Sequence, residues 1–263
     1  MSTATKSKEL TKQEALFEYL VRLADDRLIL GHRLSEWCGH GPILEEDIAL
    51  ANIALDYIGH AANLYEYAVE VEGEGRHRDD LVYFRNDVEY KNLKITELPR
   101  GDFGFTIARQ FLFSSYSYYL YQLLSDVKDE QFRGMVEKHF KEVKYHLRHS
   151  REWVLRLGDG TEESHKRIQD AFNDIWTYIG ELFHQDEVDE FLQDKNLAAN
   201  TASFKSDWKD LVSDTLEEAT LDVPDFDQFM VEGSRQGLHT EHLGHLLAEM
   251  QHLRRSYPDG NWQ

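Results

Sequence analysis

The sequence predicts an all-α protein built on a four-helix bundle. Proline occurs only four times in 263 residues, and the stretches between prolines repeat apolar residues every three or four positions, which is the spacing of one helix face. Four such stretches are long enough for a bundle core, and shorter ones follow. An apolar content of 41% is sufficient for an ordinary core. We expect a single domain over residues 1–263, with the core bundle at about 11–157 and additional helices at about 161–256.

The charge and the cysteine content exclude several classes of function. A formal net charge of −20 repels nucleic acid and anionic lipid, so neither is expected as a partner. Cys38 is the single cysteine, which excludes an internal disulfide and fits a reducing compartment. No run approaches the roughly 18 apolar residues of a membrane span, and the first residues lack the apolar segment of a secretory signal. The expected location is the cytoplasm.

The first two predicted helices form an antiparallel pair. Thr11 and Glu14 make a capping box, and apolar periodicity then places the first helix at about 11–38. Gly41 lies in the following turn, and the second helix continues to about Val71. Residues 73–104 lose this periodicity over a length that is typical of a crossover rather than a bundle turn.

The third predicted helix starts near Phe105 and has apolar or aromatic residues on every side, as in a helix that is buried all round. It carries more aromatic surface than three neighbouring helices cover easily. Some of it should face either the fifth and last helices of this chain or another subunit. The fourth helix covers 131–157. Further helices are expected at 168–184, 207–218 and 238–255, with an irregular segment at 221–237.

A carboxylate and a histidine one turn apart inside a bundle raise the question of a metal site. Ferritin-like di-iron bundles use a carboxylate from each of two helices and Glu-x-x-His from each of the other two. Antiparallel pairing about turns near residues 40 and 129 predicts that Asp25 or Asp26 is level with Asp56, and Glu142 level with Ser115 or Tyr116. The ligand positions would then be Asp25 or Asp26, Asp56 with Gly59, Ser114 or Ser115, and Glu142 with Tyr145.

This set lacks both histidines and one carboxylate, so we expect a degenerate di-iron site without bound metal, catalytic residue or cofactor. His60 and His146 come one position too late, which should rotate each ring about 100° from a ligand direction. Asp56, Glu142 and one of the two acids at 25 and 26 should persist as a buried polar network. The candidate partners are His60, Tyr145, His146, Arg27 and Lys144.

Other histidine motifs are weaker candidates. Glu-x-x-His also occurs in turns or outside the four core helices, as Glu74 with His77, Glu162 with His165, Glu181 with His184, and Glu249 with His252. His239, His242 and His245 are spaced by three, which drifts around a helix instead of holding one face. Hydrogen bonding or packing is the expected role of this run, with metal binding as the alternative.

Three stretches together resemble a known family: RLADDRLILGHRLSEWCGHGPILEEDIALANIALDYIGHAANL, KEVKYHLRHSREWVLRLGDGT and GLHTEHLGHLLAEMQHL. They are similar to the PaaC-type subunits of bacterial phenylacetyl-CoA epoxidase, the ring-1,2-epoxidising multicomponent monooxygenase of phenylacetate catabolism. The resemblance covers nearly the whole chain. It implies a ferritin-like subunit without irons that supports a catalytic di-iron subunit, within a complex that also contains a reductase.

Three hypotheses therefore remain open. The chain is a non-catalytic partner subunit, a self-sufficient di-iron oxygenase with displaced ligands such as His60 and His146, or an acidic helical binding protein unrelated to oxidation. Iron is expected in the partner subunit rather than in this chain, and self-association of the isolated chain is an additional alternative.

Overall fold

The computed structural model describes residues 10–260, and this part of the chain contains helices and no strand. Its α-helices are α1 Lys12–Ser35, α2 Leu44–Glu72, α3 Arg78–Tyr83, α4 Lys94–Glu97, α5 Phe103–Leu124, α6 Glu130–Gly158, α7 Glu162–Ile175, α8 Glu187–Gln193, α9 Lys205–Glu218 and α10 Glu241–Ser256. Short 3-10 helices lie at Asp87–Glu89, Trp176–Phe183, Thr201–Phe204 and Ser234–Gln236. The predicted all-α class is confirmed. Within residues 10–260 no helix is long and apolar enough to cross a membrane.

Side-chain caps fix where three of the long helices, α1, α5 and α6, begin. The hydroxyl of Thr11 accepts a hydrogen bond from the backbone N–H of Glu14 at 3.2 Å, as the predicted capping box requires. The carboxylates of Asp102 and Asp129 accept from backbone N–H groups three residues further on, at the starts of α5 and α6. Because the first N–H groups of a helix have no partner inside the helix, each cap stabilises a start that the sequence specifies.

The four long helices α1, α2, α5 and α6 form the core as two antiparallel pairs. In the second pair, the rings of Tyr118 and Phe140 pack with centroids 5.5 Å apart, and Phe103 meets Trp153 at 5.0 Å near the other end. This register places Glu142 level with Tyr116, as predicted. The segment between α2 and α5 crosses over the bundle and contains only short helices. The architecture is a ferritin-like four-helix bundle with additional C-terminal helices.

The aromatic side chains of α5 are covered largely by C-terminal segments of the same chain. Phe111 packs edge-on against Phe172 of α7, with ring centroids 6.3 Å apart. Phe183 packs against Trp208 of α9 at 5.1 Å, and that indole N–H donates to Ser115 on α5 at 2.8 Å. The fifth predicted helix therefore covers α5 as expected. The last helix, α10, lies against α3 and the 3-10 helix Asp87–Glu89 of the crossover.

Two boundaries in the C-terminal half differ from the prediction. The helix expected at 168–184 begins at Glu162 and is α-helical only to Ile175, after which residues Trp176–Phe183 continue as a tighter 3-10 helix. The segment between Phe183 and Lys205 contains a short helix, α8, that the periodicity did not indicate. Its start is fixed by the Asp186 carboxylate, which accepts from the backbone N–H of Val188 at 3.0 Å.

Candidate functional site in the bundle core

Asp25 and Asp26 lie at a different level from the one predicted. A β-carbon added at Gly31 of α1 would lie 3.3 Å from Cβ of Tyr57, whereas Asp25 accepts a hydrogen bond from Tyr65, two turns further along α2. The predicted pairing of these acids with Asp56 is therefore wrong. The prediction assumed that α1 and α2 pair symmetrically about residue 40. The chain instead continues beyond α1 in tight hydrogen-bonded turns as far as residue 40, so the two helices do not pair symmetrically about that residue.

Asp25 and Asp26 are both fully buried, and they hold other segments against the bundle. Asp25 accepts from the guanidinium of Arg85 at 3.0 Å. Asp26 accepts from the backbone N–H of Leu93 at 2.7 Å and from Arg235 at 3.0 Å. These contacts join the crossover and the C-terminal region to α1. The two carboxylates are therefore structural anchors and do not reach the centre of the bundle.

Helices α2 and α6 are rotated so that histidines, rather than the predicted ligand positions, face the core. The side chains of His60 and His146 are 2% and 0% exposed, whereas Gly59 and Tyr145 lie on the solvent side. Their burial agrees with the prediction that both histidines are partners of a polar network. The buried stripe of α2 passes through Tyr57 and His60, which is a rotation of about one residue, or 100°, from the predicted positions Asp56 and Gly59.

Three histidine–carboxylate pairs join α2 to α6. They are His60 with Glu142, His146 with Asp56 at 3.0 Å, and His149 with Glu46 at 2.8 Å. Burial lowers the pKa of both His60 and His146, so their rings are neutral and each Nε2–H donates to a carboxylate oxygen. The predicted pairing of Glu142 and Asp56 with these two histidines is confirmed, but the predicted burial of both carboxylates is wrong. The Glu142 and Asp56 side chains remain 38% and 31% exposed, so the carboxylates lie at the edge of the core rather than inside it.

The two serines of α5 at the predicted ligand level, Ser114 and Ser115, are fully buried and have different partners. Gln110 donates to the hydroxyl of Ser114 at 2.8 Å and to the hydroxyl of Tyr57 at 2.7 Å. Ser115 accepts the indole N–H of Trp208 and therefore faces the C-terminal segments. Ser114 lies on the side of α5 that faces α2, with its hydroxyl 3.5 Å from that of Tyr57.

His139, which the sequence pattern did not single out, lies beside His60 and forms a cluster of buried histidines with His60 and His146. Its ring stacks on that of His60 with centroids 3.9 Å apart, and the amide of Asn63 lies 3.1 Å from its Nε2. His139 belongs to the apolar stripe of α6, three residues after Val136 and four before Val143. That spacing could have identified it as a core residue.

A buried guanidinium lies among these rings. Arg27 of α1 is 1% exposed, and its central carbon lies 5.1 Å from the ring centroid of Tyr121 and 5.4 Å from that of Phe113. Burial and the positive charge of Arg27 lower the pKa of His139 to about 4. The centre of the bundle thus holds a permanent cation beside neutral imidazoles. The sequence predicts Arg27 only as a partner of the carboxylates of the polar network, and its position among the aromatic rings was not expected.

This arrangement does not fit a pair of irons. Iron in such bundles is held by carboxylates that bridge two ions at the centre. Here Asp56 and Glu142 lie at the edge and are bound to histidines, and the Arg27 guanidinium would repel a metal cation. Among residues 10–260 no group of three or more His, Cys, Asp and Glu side chains could hold a metal ion. Within the described residues, His60 and His146 therefore lack the third ligand that a metal site with displaced ligands needs.

The other histidine motifs have structural roles or are exposed. His239 contacts the Glu97 carboxylate and the backbone oxygen of Tyr90, each at 2.9 Å, which agrees with the predicted hydrogen-bonding role. Glu181 binds Lys94 at 2.9 Å. The side chains of His245, Glu249 and His252 are exposed, His77 caps α3, and His165 contacts the backbone oxygen of Gly158.

Comparison with known proteins assigns the chain to a family. The sequence profile described as phenylacetic acid catabolic protein matches residues 1–262. Over 247 residues the chain is also 43% identical to the subunit designated C of 1,2-phenylacetyl-CoA epoxidase from Escherichia coli strain K12, in an alignment that covers 94% of this chain and 99% of that protein. The resemblance drawn from the three sequence stretches is confirmed. The chain belongs to the phenylacetic acid catabolic protein family.

Proposed function

We propose that this chain is the accessory, non-catalytic subunit of a 1,2-phenylacetyl-CoA epoxidase in aerobic phenylacetate catabolism. The observation that carries the proposal is the near full-length match, at 43% identity, to a protein that is named as one subunit of that enzyme. In this role the chain binds and supports a separate subunit that holds the irons. A reductase supplies electrons to that subunit within a larger complex, and the complex is cytoplasmic.

The chemistry of the bundle core supports this assignment. Activation of oxygen by two irons needs a cluster of carboxylate and imidazole ligands around open coordination positions. The bundle core instead contains Arg27, and the His60 and His146 rings are held by hydrogen bonds to carboxylates at the edge of the core. These groups are suited to fixing four helices relative to one another. They give the chain a rigid scaffold rather than a reaction centre.

A subunit-omission experiment tests the proposal. The chain, the iron-bearing subunit encoded with it and the reductase are purified separately after iron-replete expression, and epoxidation of phenylacetyl-CoA is measured with each component omitted. We expect turnover only with all three components, and elemental analysis should find little iron in this chain and near-stoichiometric iron in its partner. Full activity without this chain, or activity of this chain with reductase alone, would refute the proposal. The second result would favour a self-sufficient oxygenase.

A further inference from the structure

The outward face of α2 is unusually apolar for a chain with a net charge of −20. Leu44, Ile48 and Leu55 are 72%, 53% and 65% exposed. Their spacing places them on one stripe, which continues through Gly59 to Ala62. From Ile48 to Ala62 this stripe carries no charged residue. Contiguous exposed apolar surface of this kind marks a contact site more often than scattered single residues do.

Gly59 adds an independent indication that something approaches this stripe. Glycine weakens a helix interior relative to alanine, so a mid-helix glycine normally has a packing reason. A β-carbon added at Gly59 would meet no atom within 4 Å, so no neighbour in the described chain requires glycine there. At Gly31 on α1, in contrast, an added β-carbon would lie 3.0 Å from Ile58. The absence of a side chain at Gly59 is explained if another molecule approaches the α2 backbone.

The surface of α6 that borders this stripe carries more basic than acidic side chains, although Glu142 and Glu152 also lie on it. Helix α6 contains seven Lys and Arg residues and four Glu residues, although acids predominate in the chain as a whole. Lys138, Lys141 and Arg148 are exposed on its outward side, around Tyr145, which is 38% exposed. The guanidinium of Arg148 lies 5.6 Å from the Tyr145 ring centroid. An apolar stripe with a cationic border is complementary to an apolar surface bordered by carboxylates.

The histidine–carboxylate pairs make these two helices one preformed surface. Asp56 and Glu46 on α2 are tied to His146 and His149 on α6 at 3.0 and 2.8 Å, so the relative position of the helices is set before any partner binds. Two adjacent helices over about 30 Å of axis present a footprint of ~600 Å². That area approaches the ~800 Å² that each partner contributes to an interface of standard size.

We infer that the α2–α6 surface, defined by Leu44, Ile48, Leu55, Gly59 and Tyr145 with its basic border, is the docking site for the iron-bearing subunit of the same enzyme. The inference rests on the proposed function for the existence of that subunit, and it specifies a partner face of apolar helix flanked by Asp and Glu. A second copy of this chain fits less well. A two-fold interface would place the basic border of α6 against itself or leave it unpaired.

The test compares matched variants in binding to the purified iron-bearing subunit. Ile48→Asp alters the stripe, and Leu253→Asp on α10 is the control, since both side chains are 53% exposed in the free chain. We expect Ile48→Asp to weaken binding more than 100-fold and Leu253→Asp to leave it within about threefold, as measured by calorimetry or biolayer interferometry. Gly59→Leu should raise the melting temperature of the free chain by about 2 °C and weaken binding at least tenfold. Lys141→Glu with Arg148→Glu should weaken binding and reduce its salt dependence.

The outcomes separate this inference from the proposed function. If the wild-type chain fails to bind the subunit at all, the proposed function fails irrespective of which surface is involved. If the wild type binds and Ile48→Asp binds equally well, the proposed function survives and the docking site is wrong. If the isolated chain is a dimer in light scattering that Ile48→Asp dissociates, and the subunit binds the variant normally, the surface serves a second copy and the inference is overturned.

Discussion

The buried histidines of the core should make folding stability fall as the pH drops from 7 to 5. His139 is 1% exposed, and burial followed by the charges of Arg27 and Lys138 lowers its pKa from 6.5 to about 4. The unfolded chain therefore binds a proton at this site in a pH range where the folded chain does not. The stability contributed by neutral His139 is complete above the unfolded pKa and is lost as the pH falls toward the folded pKa.

The magnitude follows from these two pKa values. At pH 7 the unfolded ring is mostly neutral, and at pH 5 it is almost fully protonated while the folded ring remains neutral. The free energy of unfolding therefore decreases by about 2 kcal/mol between pH 7 and pH 5 on account of His139 alone. Burial also lowers the pKa of His60 and His146, which changes stability in the same direction. A loss of this size is a large part of the roughly 5–15 kcal/mol that stabilises a typical domain.

Urea unfolding at pH 7 and pH 5 checks this prediction in the wild type and in His139→Phe. Phenylalanine retains an aromatic ring against His60 but cannot bind a proton. Any direct loss of packing or hydrogen bonding acts at both pH values, so the pH-dependent difference should shrink by about 2 kcal/mol in the variant. His245→Asn, at an exposed position, is the control and should leave the difference unchanged. Identical pH dependence in wild type and His139→Phe would refute the reasoning, as would an NMR titration that places His139 near pH 6.5.

Two further predictions concern carboxylates that the sequence singled out. Glu142→Ala should lower stability by about 1–3 kcal/mol, because it leaves the buried Nε2–H of His60 unpaired. Glu142→Gln keeps a hydrogen-bond acceptor at this position and should lower stability less. Equal melting temperatures for the alanine variant and the wild type would contradict this prediction. Asp25→Ala should cost about 3–5 kcal/mol, because it strands the buried Arg85 guanidinium and loosens the crossover. Denaturant unfolding measures the loss, and hydrogen exchange of the crossover amides should increase; unchanged protection there would show that Asp25 does not anchor it.

The order and approximate length of the core helices are determined by local features of the sequence. The apolar spacing on α6 predicted a helix at 131–157, and the structure places it at Glu130–Gly158. The Thr11 capping box marked the start of α1, and the apolar character of α5 on every side indicated a helix that is largely buried, which the structure shows except near its C-terminal end, where Leu123 is 37% exposed. Periodicity and capping depend on residues within a few positions of one another, so they can be evaluated without knowledge of the fold. The assignment to a family also came from linear stretches of sequence.

Which side chains face the core, and which partners they contact, was decided by the tertiary structure. Periodicity specifies which residues share a face of a helix, but rotation and register are set by contacts with other helices. A rotation of about one residue exchanges Gly59 for His60 at the core of α2 and turns Tyr145 toward solvent. A shift of register moves Asp25 and Asp26 away from Asp56 and toward partners such as Arg235, which is 209 residues from Asp26 in the chain. The same packing brings Arg27 among the aromatic rings. Contacts over such distances in sequence leave no local pattern, so only the folded chain reveals them.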